Sequence, residues 1–409
     1  MNKLYQYALG SLLLLSACQE SKQEAEKPQL QAGTWRIALA SEGGEIPFLL
    51  ELSPEDSLWK GYLVNAEEKI LLENIRVKGD SLEVPLHIFD AALLIKFQKD
   101  SLQGVFRKYY APDKDQALSG AWGQPRFAKN TEKPAADFSG KWQVNFSNAE
   151  GKSYPAVGLF EQKEARITGT FLTETGDYRY LEGIVQGTTL TLSAFDGNHA
   201  FLFKAALQGD SLVGEFRSGS SYRETWTAQR NEEARLRDAY TLTYLKEGYE
   251  RIDFAFPDLQ GQTRRLSDAQ YQNKVVILQI FGSWCPNCMD ETAFLADWYR
   301  KNKNQDVAII ALAYERKPDF DYAKRMVARV VKRYQAEYEF LIAGTNNKEE
   351  AARTLPMLNQ VMSFPTTIFI DKKGKVRKIH TGFNGPGTGA YYEAFREEFN
   401  NLMAQLLKE

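Results

Sequence analysis

Residues 275–294 read V-V-I-L-Q-I-F-G-S-W-C-P-N-C-M-D-E-T-A-F, and the rest of the chain reads as a means of placing them. Val275–Phe281 is an apolar, β-branched run interrupted by Gln279, which suits a strand buried in a parallel or mixed sheet. Gly282 and Ser283 end the strand, and Trp284 covers the turn. Cys285 then caps a helix whose first position is Pro286, where a missing N–H costs nothing. Met289, Phe294, Leu295 and Trp298 supply the apolar face of that helix.

This placement has a chemical consequence. Unpaired N–H groups and the positive end of the helix dipole stabilise a negative sulfur at Cys285. Cys288 lies one turn on and faces the same side, so it can attack a mixed disulfide formed at Cys285. One thiol attacks and the other resolves. A zinc site would want four ligands, yet the remaining candidates are Cys18 and the scattered His87, His199 and His380. No metal and no cofactor is therefore expected. A purely structural disulfide would not call for a strand, a tight turn and a helix start.

From about residue 250 to 409 the chain resembles the thioredoxin fold, and in particular the TlpA-like or ResA-like thiol–disulfide oxidoreductases of bacterial envelopes. The resemblance rests on F-A-F-P-D-L-Q-G-Q at Phe254–Gln262, on the strand leading into W-C-P-N-C, and on S-F-P-T-T at 363–367. It covers about two-fifths of the chain. It implies that Cys285 is the nucleophile, Cys288 the resolving thiol and Pro365 a cis-proline beside them. Backbone near Phe364 and Thr366 would then pair with an extended substrate segment. Trp284, Pro286 and Asn287 fall where such proteins contact substrate or tune the thiols. Glu291 resembles an acidic residue common at this place in TlpA-like members, as a tuner of the thiols, with helix capping or surface charge as its plainer role. Two positions depart from the pattern. Gln279 stands where thioredoxin has a buried acid, so proton transfer from Cys288 needs water or another group, and Phe281 replaces the tryptophan usual in the group.

The chain begins M-N-K-L-Y-Q-Y-A-L-G-S-L-L-L-L-S-A-C. Lys3, the apolar run Ala8–Leu15 and the small residues before Cys18 make a signal peptide over 1–17, too short to span a bilayer as a helix. The L-S-A-C ending resembles a bacterial lipobox, which implies cleavage before Cys18 and a membrane anchor through lipid on that cysteine. Residues 18–32 then form a polar tether without apolar periodicity. With Cys18 lipidated, the mature chain keeps two cysteines, both in the C-x-x-C motif. Gln19 after the lipidated cysteine implies an outer-membrane location facing the periplasm. The acidic tether also resembles a surface-export signal of Bacteroidetes lipoproteins and leaves the cell surface open.

Lysine and arginine number 51 against 53 acids, for a net charge of −2, so no global field draws nucleic acid to the chain. With 29 glycines, 24 phenylalanines and 20 tyrosines, the composition favours strands joined by tight turns. Between Gly33 and Gln229 short β-type runs follow one another; in W-Q-V-N-F at 142–146, Trp142, Val144 and Phe146 share one face. The region also echoes itself. G-T-W-R at 33–36 answers G-K-W-Q at 140–143, Phe89-Asp90 answers Phe195-Asp196, and D-S-L-Q-G-V-F-R at 100–107 answers D-S-L-V-G-E-F-R at 210–217. A duplicated all-β module follows, with repeats at 33–121 and 138–229 joined by a Pro/Ala/Lys-rich linker at 122–137. It is expected as a barrel or sandwich, either two small barrels or halves of one closed sheet, with a loose likeness to lipocalin-like modules. Trp35, Trp142, Tyr109 and Tyr110 are core or rim residues in preference to a ligand cavity, and His87 and His199 strand or turn residues in preference to ligands. Residues 230–250 read as a bridging helix.

The redox domain at 251–409 continues with a strand at Val307–Tyr314, a crossover helix at Phe320–Ala336, a strand near Phe340, a strand at Thr366–Ile370 and a closing helix at Tyr391–Leu407. His380 falls at a sheet end. The fold class is thus multidomain: an all-β duplicated module followed by an α/β thioredoxin-like domain. The expected function is envelope-anchored thiol–disulfide exchange, with a disulfide-containing envelope protein as substrate and an upstream thiol as electron donor. The competing function is a ligand-binding lipoprotein whose β module does the main task. A peroxidase would carry its reactive cysteine without this pairing.

Overall fold

The computed structural model describes residues 29–409 apart from residue 57 and residues 129–131. The signal peptide, Cys18 and most of the tether lie outside the described residues. No helix among the described residues is long and apolar enough to cross a membrane.

Each repeat closes on itself. Eight antiparallel strands from Gly33 to Trp122 form the first barrel, in which Gly33–Ser41 pairs with both Gly44–Glu55 and Gln116–Trp122. The second barrel, Gly140–Arg230, closes where Ser153–Lys163 pairs with both Gly140–Asn148 and Arg166–Thr173. Closure removes the free sheet edges that short strands would otherwise expose. Alternate residues point inward, as Ala91, Leu93, Ile95 and Phe97 do along one strand. The closing strand Gln116–Trp122 escapes the sequence reading because polar and small residues surround its buried Leu118.

The duplication is visible atom by atom. Trp35 and Trp142 are both buried, and each indole N–H donates to the carbonyl four residues back, Gln31 at 3.1 Å and Phe138 at 2.9 Å. Gly104 and Gly214 stand where a Cβ would lie 2.1 and 2.4 Å from a carbonyl of the neighbouring strand, so only glycine fits either place.

The barrels are bolted together. Phe195 leaves the second barrel and enters the core of the first, its ring centroid 4.4 Å from Phe48 and 5.1 Å from Phe106. Arg126, in the segment read as a linker, is buried; it donates to the Val64 carbonyl at 3.0 Å, the Ser193 carbonyl at 2.8 Å and Asn65 Oδ1 at 3.2 Å.

The C-terminal domain is a five-stranded mixed sheet in the order 339–345, 307–315, 275–281, 366–370, 376–381. The first three strands are parallel, and the last two run antiparallel. Helices Pro286–Asn302, Phe320–Tyr334, Lys348–Thr354 and Ala390–Lys408 cover it. The helix expected at 230–250 does not form. Side chains there capture the backbone locally: Asn231 Oδ1 accepts from Glu233 N at 2.9 Å, and Asp238 Oδ1 accepts from Tyr240 N at 3.0 Å, which competes with helical bonding. The segment is instead an irregular bridge of successive turns. It buries Ala234, Leu242 and Thr243 and pairs with the redox domain through Lys246 N to the Met357 carbonyl at 2.8 Å.

Candidate active site

Val275–Phe281 is buried at every position and ends at the turn that carries the cysteines. Glu315, at the end of the adjacent strand, fixes this turn by accepting from Ser283 N at 2.8 Å and Ser283 Oγ at 2.7 Å. Burial pushes that carboxyl up to about 7. Trp284 donates its indole N–H to the Tyr314 carbonyl at 2.8 Å and meets Phe364 edge-on at 5.4 Å.

Cys285 occupies the N-cap of Pro286–Asn302, and its sulfur accepts from Cys288 N at 3.2 Å. Its thiol points at the Phe364 carbonyl, 3.3 Å away, and the Phe364–Pro365 peptide bond is cis. Both cysteines are free thiols. Cys285 retains 6% exposure and Cys288 none. Burial, then contact with Cys285, pushes the Cys288 thiol well above its ordinary value. The pair therefore divides its labour: both thiols are buried, Cys285 keeps a slight exposure, and a protonated Cys288 lies behind it.

Glu291 lies beneath the pair, not at the surface. It is 1% exposed, accepts from Gln279 Nε2 at 2.8 Å and Thr367 Oγ1 at 2.6 Å, and is pushed up to about 7 by burial. Gln279, which replaces the expected buried acid, thus positions one supplied by the helix. Thr366 is likewise buried, its hydroxyl donating to the Ser363 carbonyl at 2.8 Å. The structure brings Cys285, Cys288, Trp284, Phe364 and Pro365 together and sets Glu291 and Thr366 behind them. Pro286 and Asn287 turn toward the second barrel.

Other candidates have structural places. His380 is buried at the end of its strand, with Nδ1 3.0 Å from the Gly382 carbonyl, and burial lowers its ionisation to about 4. His199 stacks on Phe201 at 4.9 Å beside Asp196. His87 belongs to a short 3-10 turn. Tyr110 lies beneath the Arg316 guanidinium at 4.0 Å, and Tyr109 is exposed. No group of three or more His, Cys, Asp or Glu among the described residues is arranged to hold a metal.

Sequence reasoning missed the barrel residues at this site. Arg179 donates to the Pro286 carbonyl at 3.2 Å and pairs with Asp290 and with Glu68 of the first barrel. Burial opposes its charge, but Asp290 and Glu68 outweigh that. Asp177 accepts from Asn287 Nδ2 at 3.2 Å and Gly385 N at 2.7 Å, while Asn198 donates to the Trp284 carbonyl at 3.0 Å. The signal lies in the structure and not in the sequence. The first repeat runs unbroken from Glu68 to Lys78, whereas the second breaks between Gly176–Asp177 and Leu181–Gln186, and Tyr178 to Tyr180 fill the break.

The chain's similarities to known proteins fall on the C-terminal domain. The AhpC/TSA family model matches residues 248–379. The thiol-disulfide oxidoreductase ResA of Halalkalibacterium halodurans is 30% identical over 137 residues, 34% of this chain and 69% of that protein. Through this domain the chain belongs to the ResA-like family of thioredoxin-fold proteins. ResA of Geobacillus thermodenitrificans is 32% identical over 130 residues, covering 32% of this chain and 66% of its own length. A thiol:disulfide interchange protein of the thioredoxin family from Chlorobium tepidum TLS is 16% identical over 40% of this chain and 98% of its own, with a TM-score of 0.31. The chain thus spans about two thirds of the length of its ResA relatives. Its ResA-like domain is a thioredoxin-like oxidoreductase domain with a closely spaced Cys285–Cys288 pair.

Proposed function

We propose that the protein is an envelope-anchored thiol–disulfide oxidoreductase that reduces protein disulfides, held to its membrane by lipid on Cys18. One observation carries the reading: an N-cap sulfur with residual exposure, receiving an N–H from Cys288, backed by a fully buried second thiol. The Cys285 thiolate attacks one sulfur of a substrate disulfide, and the other sulfur leaves as a thiolate that takes a proton. Cys288 then loses its proton and attacks Cys285 Sγ. The second substrate thiol departs, and two electrons have passed from enzyme to substrate. Glu291, buried behind the pair and held by Gln279 and Thr367, is the candidate general base for that second attack. A thiol donor reduces the Cys285–Cys288 disulfide again. The signal and lipobox-like sequence supports the anchor, and the competing ligand-carrier reading is disfavoured by barrel interiors filled with side chains such as Trp35, Phe48, Trp142 and Phe171.

Trapping tests the reading. Cys288→Ser expressed in the native envelope should accumulate disulfide-linked adducts through Cys285 that thiol reductant releases. The Cys285→Ser/Cys288→Ser double variant should accumulate none. Absence of adducts in Cys288→Ser, together with no turnover of any model disulfide by the unaltered protein, would overturn it.

A further inference from the structure

The second barrel meets the redox domain at the residues that flank Cys285. Four backbone or side-chain groups around the sulfur are each held by a barrel residue. Asn198 holds the Trp284 carbonyl, Arg179 the Pro286 carbonyl, Asp177 the Asn287 amide, and the Thr175 carbonyl accepts from Ser363 Oγ at 2.7 Å. The approach is close, and each side presents a glycine at positive φ, +142° at Gly176 and +77° at Gly382. A Cβ on Gly176 would lie 2.8 Å from Asn287 Nδ2, and one on Gly382 would lie 2.9 Å from the Thr175 carbonyl carbon. A flat face of a folded protein cannot reach a sulfur enclosed in this way. Beside this enclosure lies a cleft of about 350 Å³, which reaches the redox domain at Asn287, two residues after Cys285, and at Met362, shortly before Pro365. Asn287 and Met362 line it on the redox side, and Tyr154, Tyr178, His199 and Phe201 on the barrel side.

We propose that the second barrel is the far wall of the substrate groove, so that the redox centre takes a disulfide borne on an extended segment with an aromatic side chain next to the reacting cysteine. The inference rests on the oxidoreductase reading and specifies its substrate. An extended segment can run beside Phe364 with its cysteine at Cys285, while its neighbouring side chain enters the cleft. There the stacked His199 and Phe201 rings and the Tyr154 and Tyr178 hydroxyls, 2.9 Å apart, offer aromatic faces rimmed with polar groups. The chemistry is that of the pair itself: the substrate S–S bond breaks, Cys285–Cys288 forms, and two thiols leave.

The test uses the full chain and three substrates of matched reduction potential: a Phe-flanked cystine peptide, a Gly-flanked one, and a disulfide on a folded protein surface. The Phe-flanked peptide should exceed the Gly-flanked one in kcat/KM by about tenfold, the effect of one aromatic contact. The folded protein should react least. In Arg179→Ala/Asn198→Ala, checked for folding by circular dichroism, the ratio of folded-protein to peptide turnover should rise at least tenfold. In Phe201→Leu, which keeps an apolar side chain, the Phe-over-Gly preference should collapse toward unity. Equal reduction of folded and extended disulfides by the unaltered protein would overturn the proposal, and so would ratios that neither variant moves. If none of the three substrates is turned over, the oxidoreductase reading itself fails.

Discussion

Replacing Glu291 with glutamine should make the protein more stable and less active at alkaline pH. Burial moves this carboxyl from its ordinary 4.5 to about 7. That displacement corresponds to about 3 kcal/mol of preference for the neutral form in the folded state. Because the folded value is raised, the folded protein holds the Glu291 proton over an interval in which the unfolded chain has lost it. Stability therefore falls as pH rises from about 4.5 to about 7, and the full cost persists above. Glutamine does not titrate and cannot incur it. The amide also fits: either the Thr367 hydroxyl reverses to accept while Gln279 still donates, or the Gln279 amide turns over to accept while Thr367 still donates. In urea melts the variant and the unaltered protein should have similar stability at pH 4, and the variant should lead by about 3 kcal/mol at pH 8.5. Asp290 and Glu315 titrate in the same range but are common to both proteins, so the difference isolates Glu291. Resolution of the mixed disulfide, followed by quenched single turnover, should slow by about a hundredfold or more and lose its rise through pH 7. A variant that is less stable at pH 8.5 would refute the burial argument, and one that retains the pH-dependent rise would refute the role as base.

Two predictions concern the double barrel. Arg126→Leu leaves the carbonyls of Val64 and Ser193 without the buried guanidinium donor and Asn65 Oδ1 with the Phe195 N–H alone, and should cost about 3–5 kcal/mol in chemical denaturation; a loss below 1 kcal/mol would show that water or repacking replaces it. Phe195→Ala should cost about 3–5 kcal/mol as well. Because the ring fills the first barrel from outside, hydrogen exchange should quicken in Gly44–Glu55 more than in the second barrel's own strands; uniform quickening would contradict the plug.

The legible parts of this chain were those whose chemistry is local. The strand, turn and helix around Cys285 follow from residues adjacent in sequence, and the duplication follows from repeated side chains such as Trp35 and Trp142. Most of what escaped depends on partners far along the chain. Glu291 reads as a helix cap or surface charge until Gln279 and Thr367 are known to face it. Arg126 sits among prolines and lysines that signal a linker, and its burial depends on Asn65 and Ser193, some sixty residues away on either side. The 230–250 segment has nearly helical apolar spacing, but Asn231 and Asp238 bond their own backbone first, and periodicity does not register that competition.

Duplication also explains why the barrels serve as a wall and not a hinged lid. Each repeat carries a Phe-Asp corner, and the two corners have gone to different neighbours. Phe195 fills the first barrel, while Ile88 and Phe89 pack on the core of the redox domain. The second barrel then returns to the redox domain through Asp177 and Arg179. The three bodies meet pairwise in a closed ring, and Arg179 stands at the junction, touching Glu68 of one barrel and Asp290 of the catalytic helix. Swinging the second barrel away from Cys285 breaks two interfaces at once and withdraws the Arg179 guanidinium from the Glu68 and Asp290 carboxylates, a cost of several kcal/mol. A ring of this kind holds its gap at fixed width, so access to the sulfur is governed by the shape of the incoming segment.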